Sequence, residues 1–116
     1  MKKLSKYKNY DEWVVDILQS DKKRADLFLD IAIKQFEKDD DVAALLVALS
    51  QVVKAKGGFS KFAHKSKLNR ESLYNILSKE GNPTLLSFKN IINALGCKII
   101  IKHSVSGRAR KLSAAL

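Results

Sequence analysis

Phe59-Ser60-Lys61-Phe62-Ala63-His64-Lys65-Ser66-Lys67-Leu68-Asn69-Arg70-Glu71-Ser72-Leu73-Tyr74-Asn75-Ile76-Leu77 is the stretch whose reading decides the fold. Ser60 can cap a helix over Lys61–Ser66 and Asn69 a second over Arg70–Ser78, since a side-chain oxygen just before a helix accepts from one of its unpaired first N–H groups. Almost nothing separates the two, so they must cross steeply. A steep crossing needs a small residue at the contact, and Ala63 supplies it. The tight turn needs an apolar residue to pin it, and Leu68 fits. Leu73, Ile76 and Leu77 then bury one side of the second helix. Its other side shows Arg70, Glu71, Tyr74, Asn75 and Ser78, groups that read base edges or hold phosphates. This is the pattern of a helix-turn-helix over residues 59–79, whose second helix enters the major groove by its N-terminal part.

The flanking sequence supplies supports for such a pair. Upstream, Val42, Leu45, Leu46, Leu49, Val52 and Val53 make an amphipathic helix to about Lys56, stopped by Gly57-Gly58. Asp39-Asp40-Asp41 suits the positive end of that helix. Further back, Ala25, Phe28, Leu29, Ala32, Ile33 and Phe36 step by three and four. A first short helix, capped by Asn9 or Asp11, carries Trp13, Val14, Ile17 and Leu18. Downstream, the breakers Glu80-Gly81-Asn82-Pro83 precede a helix capped by Thr84, with Leu85, Phe88, Ile91, Ile92 and Leu95 inward and Gly96 at its end. Lys98-Ile99-Ile100-Ile101-Lys102 reads as a β-strand. The expected fold is mainly α: a five- to six-helix, lambda-repressor-like helix-turn-helix domain over residues 1–103 with a short C-terminal strand. Residues 104–116 form a flexible basic tail.

Charge narrows the partner class. The net charge of +10 on 116 residues is uneven. Residues 1–41 balance 9 Lys/Arg against 10 Asp/Glu, whereas residues 42–116 hold 13 Lys/Arg against only Glu71 and Glu80. A basic C-terminal two-thirds is the footprint of a polyanion-binding surface. No apolar run approaches the ~20 residues of a membrane helix, and the basic start lacks an apolar signal stretch. The expectation is a cytoplasmic protein without membrane contact.

Catalysis and metal binding find no support. Cys97 is the single cysteine and reads as a small buried hydrophobe. His64 and His103 are far apart, with no partners at catalytic or ligand spacing. The three consecutive aspartates lack the alternation a divalent-cation loop requires. Tyr10 and Trp13 read as packing for the first helix. No cofactor and no enzymatic activity are expected.

Gly57-Gly58-Phe59-Ser60, Ala63, Leu68-Asn69-Arg70-Glu71-Ser72-Leu73-Tyr74, Glu80-Gly81-Asn82-Pro83-Thr84 and Ala94-Leu95-Gly96, at this spacing, resemble the addiction-module antidote proteins. These are HigA-like, Xre/Cro-like helix-turn-helix antitoxins of type II toxin–antitoxin systems. The resemblance covers about residues 20–97. It implies a DNA-binding antitoxin that neutralises a RelE/ParE-type toxin and represses its own operon. The alternative from the residues alone is a stand-alone, phage-type repressor without a toxin partner. One departure stands out: after Ser66 the family commonly has Gly, at a position of positive φ, where this chain has Lys67. A non-Gly residue there costs on the order of 1 kcal/mol.

The expected site follows. Arg70 and Asn75 make direct base contacts, with Glu71, Tyr74 and Ser78 on the same face. Lys61, Lys65, Asn69 and Ser72 position phosphates on a palindromic duplex. A basic toxin would meet residues 1–41, where Asp16, Asp26, Asp30 and Glu37 are exposed candidates. Ile99, Ile100 and Ile101 form the interface of a two-fold homodimer through antiparallel strand pairing, which lets two half-sites be spanned at once.

Overall fold

The computed structural model describes residues 9–78 and 80–104. Each helix begins where a short polar side chain releases the backbone into a turn, with one exception. Asn9 opens α1 (Tyr10–Gln19), accepting from the Glu12 N–H at 2.9 Å. Asp21 opens α2 (Lys22–Asp39) through the Lys23 N–H. Asp41 opens α3 (Val42–Ala55) through the Ala44 N–H at 3.0 Å, so the third of the three aspartates is a cap. The exception is α4 (Phe59–Ser66): it begins two residues before the helix expected from Ser60, with Gly58 as N-cap and no side-chain cap. Asn69 opens α5 (Arg70–Ile76) and Thr84 opens α6 (Leu85–Ala94), both as expected.

The core forms around α3. Its Leu46, Leu49, Val52 and Val53 are at most 1% exposed, because α3 is covered by α1, α2 and α4 together. α1 contributes Val14 and Leu18, and α2 contributes Ala25 and Leu29. Phe28, Ala32, Ile33 and Phe36 of the expected stripe are half-buried against the same cluster. From the other side come Phe62 and Ala63 of α4, Leu73 of α5, Leu77, and Ile91 and Ile92 of α6. Two surface ion pairs tie the first helices to the far end of α3: Lys54 to Asp11 at 2.8 Å and Lys56 to Asp26 at 3.0 Å. Exposed pairs like these add little energy, about 0–1 kcal/mol each. Their use here is to fix orientation.

The end of α3 decides where α4 goes. The Gly58 N–H reaches back to the Val53 carbonyl at 3.0 Å, a six-to-one closure that the positive φ of Gly57 (+126°) permits. α4 then leaves α3 at 103°. α6 closes in the same manner, with Gly96 and Cys97 donating to the Asn93 and Ile92 carbonyls. No single helix among the described residues is long and apolar enough to cross a membrane.

The strand expected at Lys98–Lys102 is not formed: residues 97–104 have no regular secondary structure. The reason is partnership. A strand is defined by ladder hydrogen bonds to a second strand, and no strand occurs among the described residues. Of the basic tail expected over 104–116, only Ser104 lies within the described residues.

Leu29 is far in sequence from α4 and α5 yet 3% exposed in the shared core. Leu29→Ala should therefore destabilise the whole domain by about 2–5 kcal/mol in denaturant unfolding, in one transition for all six helices. At the turn, Lys67 holds φ +61°. Lys67→Gly removes about 1 kcal/mol of left-handed strain and returns part of it as unfolded-chain entropy. The expected net gain is ~0.5 kcal/mol, or about 2–4 °C in Tm by calorimetry.

Candidate nucleic-acid interface

α4 and α5 are joined by only three residues, Lys67-Leu68-Asn69. Reversing the chain in so short a space needs a left-handed residue, and Lys67 takes that conformation (φ +61°, ψ 25°). Leu68 is half-buried against the core, pinning the turn. Ala63, 6% exposed, gives α5 room to cross, and Leu73 behind it is fully buried. Ser66 is buried too, its hydroxyl donating to the Ala63 carbonyl. At the other end of α5 the chain folds back tightly. A Cβ on Gly81 would run into the Ile76 carbonyl, so only glycine fits there. That contact is the physical content of the Glu80-Gly81-Asn82-Pro83 segment: it ends α5 and hands the chain to α6.

With the pair held this way, Lys61 and Lys65 are exposed on α4, and Arg70, Glu71, Tyr74 and Asn75 on α5. Arg70 and Glu71 share the first turn of α5, with Tyr74 and Asn75 one turn on. Tyr74 is 61% exposed, but its ring is not loose. Phe59 packs against it edge-on, with centroids 5.6 Å apart at 61°. Phe59 is a positioning residue that the sequence pattern did not single out, because an aromatic at the start of a helix looks like any other core residue. Lys67 is a further exposed cation in the turn between the helices.

Three of the expected site residues have other work. The Asn69 carboxamide oxygen accepts from the Ser72 N–H at 2.7 Å, so Asn69 caps α5. Ser72 itself is half-buried. The Ser78 hydroxyl donates to the Asn75 carbonyl at 2.8 Å, closing the end of α5.

The electrostatics follow from which lysines are engaged. Lys54 and Lys56, at the end of α3, are held by Asp11 and Asp26. No ion pair among the described residues holds Lys61, Lys65, Lys67 or Arg70, and Glu71 is the one carboxylate on the exposed side of this pair of helices. His64 is exposed on α4. No group of three metal-ligating side chains occurs among the described residues. Of the acidic residues expected to meet a partner, Asp16, Asp26, Asp30 and Glu37 are all exposed on α1 and α2, and Asp26 pairs with Lys56. The rings of Tyr10 and Trp13 meet tilted at 49°, centroids 5.5 Å apart, with Trp13 packed against the core and Tyr10 left 67% exposed.

Comparison with known proteins gives a family. No solved structure matches the chain. A Haemophilus influenzae protein described as uncharacterized is 26% identical over 76 residues, which are 66% of this chain and 77% of that protein. The family described as "Probable addiction module antidote protein" matches residues 6–103, nearly the whole described domain with all six helices, and the chain belongs to that family.

Proposed function

We propose that the protein is a sequence-specific DNA-binding antitoxin: a lambda-repressor-like domain whose α4–α5 pair acts as a helix-turn-helix on its own operator, and which neutralises a RelE/ParE-type toxin. The observation that carries the DNA-binding part is the exposed face of α4 and α5. It gathers Lys61, Lys65, Lys67 and Arg70 with one carboxylate, around the polar readers Tyr74 and Asn75. Phosphate contacts supply affinity without sequence information, and base-edge contacts supply choice. Arg70 and Asn75 have the geometry for bidentate contact with guanine and adenine respectively. Tyr74, held by Phe59, offers a preorganised hydroxyl and ring between them. The left-handed Lys67 places a cation at the turn, beside the path of the phosphate backbone, which gives this chain a reason to carry lysine where its family commonly has glycine.

Family membership as an antidote supports the toxin part. The first two helices are the surface offered to the toxin, through the exposed Asp16, Asp30 and Glu37; the end of α1 and the start of α2 (Leu18, Gln19, Lys22) adjoin Lys61 and Lys65 of α4. Their removal is not a usable test, because Val14, Leu18, Ala25 and Leu29 belong to the core. Co-purification of the intact chain with the toxin encoded beside it, lost in Asp16→Lys with the fold retained, is the appropriate one. One helix-turn-helix covers a half-site, so the operator-bound form is a two-fold dimer, with Ile99, Ile100 and Ile101 at its interface.

The DNA reading is tested by fluorescence anisotropy on duplexes selected by the wild-type protein. Arg70→Ala and Asn75→Ala should each lose about 1–3 kcal/mol on the selected site and little on unrelated duplex. Lys61→Ala should weaken both duplexes alike and lower the salt dependence by about one counterion. Unchanged affinity in the first two variants contradicts the assignment.

A further inference from the structure

A groove of about 370 Å³ runs between α2, α6 and the segment that follows α6. Its floor is apolar, from Ile33, Phe36, Phe88 and Ile92, and its lining carries the carboxylates of Asp30 and Glu37 and one cation, Lys98, for a net negative charge. Both carboxylates are exposed, and no ion pair holds either among the described residues. They lie seven residues apart, two turns along the same side of α2. Nothing from α4 or α5 lines the groove.

The chain also displays what such a groove would hold. Ile99, Ile100 and Ile101 are 49%, 73% and 86% exposed, rising outward along a segment without regular structure, and Lys102 follows them in the open. Three consecutive exposed isoleucines are too much apolar surface to leave in water at the edge of a folded domain. Ile99 and Ile100 border the groove of their own chain, while Ile101 does not line it. Leu85, expected to face inward with Phe88, is instead 82% exposed at the very start of α6, where the helix extends past the core, and it adds apolar surface there.

We infer that this groove is the seat of a second copy of the chain: in the dimer, the Ile101–Lys102 end of each copy enters the groove of the other, its isoleucine on the Phe36–Phe88 floor and its ammonium against Asp30 and Glu37. The inference rests on the dimer reading given under Proposed function and replaces bare strand pairing with a specific socket. The warrant is self-complementarity. A two-fold interface must present the same patch from both sides. Here one chain carries both an apolar groove of net negative charge, with two carboxylates against Lys98, and, beside it, an apolar segment ending in a cation. The same arrangement explains why Lys98–Lys102 has a strand-like composition and no strand partner among the described residues. It also keeps the interface clear of Lys61, Lys65, Arg70, Tyr74 and Asn75, so a dimer formed in this way leaves both proposed DNA faces available.

The test uses the intact chain and sedimentation equilibrium, with two charge variants. Asp30→Lys/Glu37→Lys should weaken the wild-type dimer by roughly tenfold or more, and Lys102→Glu should weaken it as well, since each sets like charges against one another. Circular dichroism should show both fully folded, because all three positions are exposed. Mixing the two variants should restore dimers, as hetero-dimers only: in the mixed pair, each groove meets a segment of opposite charge. A monomeric wild type overturns the dimer reading itself. A dimeric wild type whose charge variants dimerise equally well overturns the socket and leaves the dimer reading standing. Loss of the dimer in both variants without rescue on mixing also overturns the socket.

Discussion

Everything in this fold hangs on burying α3 from both sides. It is the most apolar helix of the chain, and its Leu46, Leu49, Val52 and Val53 cannot be covered by any one neighbour. α1 and α2 cover one side and α4 begins the other. Where α4 lies is then set by a backbone constraint. The closure of Gly58 onto Val53 turns the chain through 103° within three residues. α5 is too short at seven residues to be stable alone. It is held by Leu73 and Leu77 in the core, by the turn at Lys67–Asn69, and by the tight return at Gly81. The outward display of Arg70, Tyr74 and Asn75 is thus a consequence of how α3 is packed and stopped.

Charge is sorted by the same architecture. The basic excess of residues 42–116 would be diffuse if every lysine pointed freely to solvent. Instead the two lysines nearest the end of α3 are drawn to Asp11 and Asp26 on the first helices. Among the described residues of this region, Lys61, Lys65, Lys67 and Arg70 stand without an ion pair on α4, the turn and α5, as do Lys89 on α6 and Lys98 and Lys102 after it. The near-neutral N-terminal helices therefore do two things: they cover the core, and they pair with the two lysines that end α3. Membership in the antidote family, over residues 6–103, includes these helices as well as the α4–α5 pair.

Much of this was legible in the chain before any coordinates, and the gaps have physical causes. Helix content, the caps at Asn9, Asp41, Asn69 and Thr84, and the stops at Gly57-Gly58 and Gly96 follow from local chemistry that tertiary packing did not override. The left-handed backbone expected at Lys67 is present. The start of α4 was misplaced because Ser60 is a good capping residue, yet Gly58 is already turned by the closure of α3, so the helix begins as soon as the turn ends. The strand at Lys98–Lys102 failed for a different reason. β-branched composition reports a preference for pairing, and pairing needs a partner that six helices do not provide. The use of Ser78 to close the end of α5 was not legible: an exposed polar side chain beside a helix end reads equally well as a closing group or as a ligand, and the hydrogen bond to the Asn75 carbonyl decides it. Phe59 behind Tyr74 is a contact between two helices, which no local pattern encodes.

The central claim is that the exposed face of α4 and α5 is where DNA is bound. The most direct measurement is backbone amide chemical-shift mapping of the isotope-labelled protein, titrated with duplex from upstream of its own gene at physiological salt. The account predicts that the strongest changes fall on Lys61, Lys65, Lys67, Arg70, Tyr74 and Asn75, with the Asp30–Glu37 stretch of α2 unperturbed. Strongest changes on α1 and α2, with the α4–α5 face silent, would contradict it.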